Sequence, residues 1–122
     1  MKWKDDAITE FASAAFELLA GAIELDYSEI VLVCGHIDGV VAVSAIYYNK
    51  DGARKGVENF FDIANDLKIK ANLFHDAFKR HGENFRSVKL SLDSEENLEI
   101  EFDYDAMDRW DLSDRAQFPL KR

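Results

Sequence analysis

The stretch from Glu29 to Tyr48 is rich in Ile, Val and Ala, and its main break is the pair Asp38-Gly39. An Asp-Gly pair between two β-branched apolar runs is a strong hairpin signal, because both residues accept the positive φ that a tight turn demands. Two strands joined so closely can only pair antiparallel. The runs Glu29–Ile37 and Val40–Tyr48 are apolar on both faces, which predicts central strands covered at least partly on two sides. A second turn signal follows at Asn49–Gly52.

The period then changes to that of a helix. Phe60, Ala64, Leu67, Ala71, Phe74 and Phe78 recur in alternating steps of three and four residues, predicting a long helix from about Phe60 to His81. Gly82 is placed to end it, with Lys79, Arg80 and His81 in a last turn where cations suit the helix dipole. The Phe residues read as a core seam. An N-terminal helix is expected from about Asp6 to Leu19: Ile8, Phe11, Ala12, Ala15, Phe16 and Leu19 share one side, Asp5 and Asp6 suit its start, and Gly21 could stop it.

Downstream the period is two. Val88, Leu90 and Leu92 alternate with Lys89 and Ser91. After a turn at Asp93–Asn97, Leu98, Ile100, Phe102 and Tyr104 alternate with Glu99, Glu101, Asp103 and Asp105. This predicts a second hairpin with one apolar and one wet face. The expected fold is therefore α+β: an antiparallel sheet of about four strands, in two hairpins, packed with an N-terminal helix and a long central helix. Residues 1–122 are expected to form a single domain. Residues 106–122, with the only Pro, show no clear period and receive no placement.

Charge is localised. Between Asp93 and Asp114 stand ten acidic residues and one base, Arg109, a balance of −9 that equals the formal charge of the whole chain. Acidity of this kind argues against nucleic acid and anionic membrane surfaces as partners, since phosphate binders carry Lys and Arg. The opening residues lack the apolar core of a signal peptide, and no apolar run approaches a transmembrane length, so a cytoplasmic protein is expected. The lone Cys34 cannot form an internal disulfide.

Catalysis and cofactors have little support. Cys34, His36 and Asp38 fall close together, but residues two apart on a strand share a face without forming a catalytic pair, and a core thiol and core histidine are expected. His75 and His81 read as surface residues, six apart on a helix and so not a metal pair. The acidic segment lacks EF-hand spacing, and no metal, cofactor or small-molecule substrate is expected. The chain is read as a non-enzyme. A buried polar pocket around His36 would be the basis of a carrier or enzyme reading.

The carboxylates of Glu99, Glu101, Asp103 and Asp105 form a row on one strand face. They repel one another, and such a row either keeps an edge strand soluble or faces a basic partner. Asp108, Trp110 and Asp111 extend the pattern, and interleaved aromatics favour a protein-binding surface. The expected partner-binding residues are Glu99, Glu101, Asp103, Tyr104, Asp105, Asp108, Trp110 and Asp111. Tyr104 should face the core by alternation.

The segment KRHGENFRSVKLSLDSEENLEIEFDYDAMD resembles the YezG-like immunity (antitoxin) proteins of bacterial polymorphic toxin systems. The resemblance lies in Gly82, in Phe85 (where the family commonly has Trp), in the strand Val88–Leu92, the acidic turn Asp93–Asn97 and the sequence Phe102-Asp103-Tyr104-Asp105. Tyr47-Tyr48 and the turn at Asn49–Gly52 add to it. It implies an α+β fold, no enzymatic activity, and a cognate protein toxin, often a nuclease, bound and blocked. The alternative expectation is an adaptor or chaperone-like module whose exposed sheet edge takes up a partner's strand.

Overall fold

A computed structural model of the chain describes residues 2–23, 26–37 and 39–105. Two helices, α1 (Lys2–Ala22) and α2 (Phe60–Lys79), accompany five strands: β1 (Tyr27–Ile37), β2 (Val40–Asn49), β3 (Arg54–Gly56), β4 (Ser87–Asp93) and β5 (Leu98–Asp103). The sheet order is β3-β2-β1-β4-β5 and every pairing is antiparallel. The α+β class and both predicted hairpins are present, and the sheet has five strands rather than four.

The register explains the layers. β1 lies at the centre, with Ile30 between Tyr47 and Leu92, Leu32 between Ala45 and Leu90, and Cys34 between Val43 and Val88. These residues face the helices and join Phe11, Ala15, Phe16 and Leu19 of α1 and Leu67, Ala71, Phe74 and Phe78 of α2 in the main core. The helical seam expected in α2 is thus the core seam. On the opposite face Val31, Val33, Ile46 and Tyr48 form a second, smaller buried cluster. That accounts for two strands apolar on both faces.

Local chemistry sets the turns. Gly39, Gly52 and Gly82 take φ of +80°, +86° and +82°, where a β-carbon is strained. After α2 the Glu83 N–H reaches back to the Phe78 carbonyl at 3.0 Å, and Gly82 makes that reversal possible. The Asn49 side-chain oxygen accepts the N–H groups of Asp51 and Ala53, both at 2.9 Å, and folds the short β3 back onto β2.

α1 is longer than the expected Asp6–Leu19. Its first turn is held by Trp3, which stacks on His81 with ring centroids 3.8 Å apart and meets the edge of Phe78 at 5.1 Å. Asp5 and Asp6 therefore sit inside the helix, and Gly21 does not stop it. None of the described helices is long and apolar enough to cross a membrane.

Candidate functional site

β5 is an edge strand, paired only with β4 among the described strands. Leu98, Ile100 and Phe102 point to the helix side, Ile100 and Phe102 packing against the main core. Their neighbours Glu99, Glu101 and Asp103 project from the other face, opposite Ser91, Lys89 and Ser87. Alternation along a pleated strand places these three carboxylates in one row. Lys89 is the cation within the row's register. Its ammonium lies 3.5 Å from Glu101 Oε1, and its side chain is 10% exposed against 56% for Glu101. Within this register the row sets three carboxylates opposite Lys89 and two serines.

The remaining predicted residues do not all join this row. β5 ends at Asp103, so Asp105 lies beyond the strand instead of extending its face. Its N–H donates to Asp103 Oδ1 at 2.7 Å. Tyr104 is half exposed rather than a core residue. Its ring lies 6.3 Å from Phe102, and its hydroxyl donates to Glu83 Oε1 at 2.8 Å. Partial burial, then the Glu83 carboxylate, pushes the phenol up to about 12. Glu83 also meets Lys4 at 2.9 Å, and these two contacts, Lys4 first, hold its carboxyl below the usual range. Asp108, Trp110 and Asp111 lie outside the described residues.

Asp93, the first acid of the charged block, has a structural task. Its Oδ1 accepts the N–H groups of Glu95 and Asn97, both at 2.9 Å, and its Oδ2 accepts the Asn97 amide at 3.1 Å. These bonds, led by that from the Asn97 backbone, hold the carboxyl below its ordinary range and close the β4–β5 turn. Asp93→Ala leaves those donors without their acceptor, so it lowers the thermal unfolding midpoint, whereas Glu95→Ala does not. Paired melting curves of the two variants check this.

A second site lies away from the acids, between the β1–β2 turn and α2. His36 is buried in β1 as expected, but His75 is half buried instead of a surface residue. The two imidazoles stack with centroids 4.1 Å apart and planes 3° from parallel. His75 Nε2 lies 2.9 Å from the Phe85 carbonyl, which can only accept, so Nε2 carries the proton and donates. His36 Nε2 is buried without a hydrogen-bond partner among the described residues. Burial, then the neighbouring His75, pushes His36 down to about 3, and burial lowers His75 as well. Both rings are neutral near neutral pH. Beside them opens a polar cleft of about 420 Å³.

Cys34 is fully buried and burial pushes its thiol up to about 12, so no thiolate nucleophile is available there. Among the described residues no group of three His, Cys, Asp or Glu side chains is arranged to hold a metal ion. No protein-family model matches the chain, and no curated protein matches it in sequence.

Proposed function

We propose that this chain is a non-enzymatic immunity protein that neutralises a basic protein toxin, a nuclease being the foremost class, in the cytoplasm of the cell that makes it. One observation carries the reading: Glu99, Glu101 and Asp103 project together from an edge strand, with Lys89 opposite. Core packing of β5 rests on Ile100 and Phe102. Aligned like charges do not stabilise the strand they stand on. A nuclease presents Lys and Arg to phosphate, and a fixed row of carboxylates fits that surface. Complementary charge raises the association rate and selects the partner, and close charge pairs couple by about 1.5–7 kcal/mol.

The outer edge of β5, which no other described strand pairs with, also supports a second reading, in which a partner strand pairs with its backbone. Salt separates the two. A carboxylate-driven complex weakens steeply as ionic strength rises, whereas a backbone-paired complex changes little.

The test takes as candidate partner a basic domain encoded by a neighbouring reading frame. The triple reversal Glu99→Lys, Glu101→Lys and Asp103→Lys is expected to weaken the complex by at least about a hundredfold and to flatten its salt dependence. Calorimetric titration at two ionic strengths provides the readout. Unchanged affinity in the reversed variant would remove this surface from the interface.

A further inference from the structure

The polar cleft beside the stacked histidines has no role in packing and none in the acidic row. Its floor and walls include His36, Asn72, His75, Lys79, Asn84 and Arg86, and it opens at the β1–β2 turn beside Gly39 and Val40. We propose that this cleft is a binding site for a small oxyanion: a phosphate or carboxylate group carried by a small molecule.

Charge selects the ligand's sign. In a chain of formal charge −9, the described walls of this cleft carry two permanent cations, Lys79 and Arg86, against one acid, Asp76. An ammonium and a guanidinium are the groups that bind oxyanions best, the guanidinium through its paired donors. The side-chain amides of Asn72 and Asn84 add neutral donors. A volume of about 420 Å³ holds a small molecule rather than a macromolecule.

The histidines show that the cleft is more than a surface dent. His36 is 5% exposed, yet its Nε2 has no partner among the described residues, and such a buried nitrogen needs an explanation that core packing does not supply. A Leu or Phe at this position would fill the same space without that cost. Because Nε2 is sealed from solvent, the anion is held by Lys79, Arg86 and the amides. The two imidazoles answer it from behind. His75 spends Nε2–H on the Phe85 carbonyl, so only its Nδ1 can take up a proton. A bound anion favours that proton and passes its field to the ring stacked beneath.

This inference stands apart from the acidic row, and its test does not involve the toxin. Imidazole resonances are followed by NMR while inorganic phosphate, or succinate, is added to the full chain at constant ionic strength. The expected result is a saturable shift of the His75 signals and a rise of their titration midpoint. The double substitution Lys79→Gln, Arg86→Gln is expected to weaken binding by about tenfold or more. Asn84→Ala, with its own smaller loss, serves if that double variant is poorly folded. Saturation by phosphate alone assigns a phosphate site, and saturation by succinate alone a carboxylate site. Shifts that never saturate, that sodium chloride reproduces, or that persist unchanged in the variants overturn the proposal.

Discussion

Phe85→Ala is expected to lower the unfolding free energy by about 3–5 kcal/mol, the range for deleting a buried phenyl ring. Phe85 is fully buried, and its ring lies 5.3 Å from Phe78, 5.6 Å from Phe74 and 5.1 Å from Phe102. It also presents its face or edge to both histidines, 5.4 Å from His36 and 4.8 Å from His75. One side chain thus joins β1, α2 and β5. Aromatic pairs add about 0.5–1.5 kcal/mol beyond area burial, so the upper half of the range is expected. Phe61, 93% exposed at the start of α2, supplies the contrast, since its truncation removes no core contact. Urea titration measures the difference. A lowered midpoint with an unchanged slope means lost stability rather than a changed unfolded state.

Acidification from about pH 6.5 to pH 5 is expected to remove up to about 2 kcal/mol of stability through His36. The sign follows from its protons. In the folded protein His36 stays neutral down to about 3, because burial and then His75 oppose its charge, whereas in the unfolded chain it titrates near 6.5. Below 6.5 the unfolded state therefore binds the extra proton. The contribution is fully present above that pH and declines as pH falls towards 3. His75, also lowered by burial, adds in the same direction. Carboxylates titrate mostly below this window, so it isolates the imidazoles. His36→Phe should flatten the dependence between pH 6.5 and 5. If its unfolding free energies keep the parent's slope, His36 is not the responsible group.

Much of this fold was readable because its signals are local. Asp38-Gly39 lies between two β-branched runs, and the two flanking strands pair in the register a two-residue turn demands, Ile37 opposite Val40. The seam of α2 and the alternation of β4 and β5 likewise show within a few residues. β3 shows no such signal. Arg54, Lys55 and Gly56 have no alternation to read, and they are a strand because the Asn49 turn delivers them to the edge of β2. The long α1 is also non-local, since Trp3 is helical through its contacts with Phe78 and His81, far along the chain.

The candidate site divides in the same way. Alternation placed Glu99, Glu101 and Asp103 on one face, but it ran two residues too far, and Asp105 lies past the strand end. Asp93 carried a signal in the sequence: an Asp at the end of a strand, with Asn four residues on, closes a turn with its own side chain. The His36–His75 stack had none. His75 follows Phe74 on the rim of the apolar seam, and only the docking of α2 on the sheet brings it over a residue of β1.

Glu83 ties the first described turn of α1 to the residue that follows β5. One of its carboxylate oxygens binds Lys4, near the start of α1, and the other binds Tyr104, just after β5. The first and last elements of the described domain therefore begin and finish within reach of a single side chain. Over the described residues the backbone path nearly closes on itself. Within the described residues, new ends cut at the exposed turn 50–53, with Lys2 and Asp105 joined by a short linker, would leave the same strands meeting in the same order.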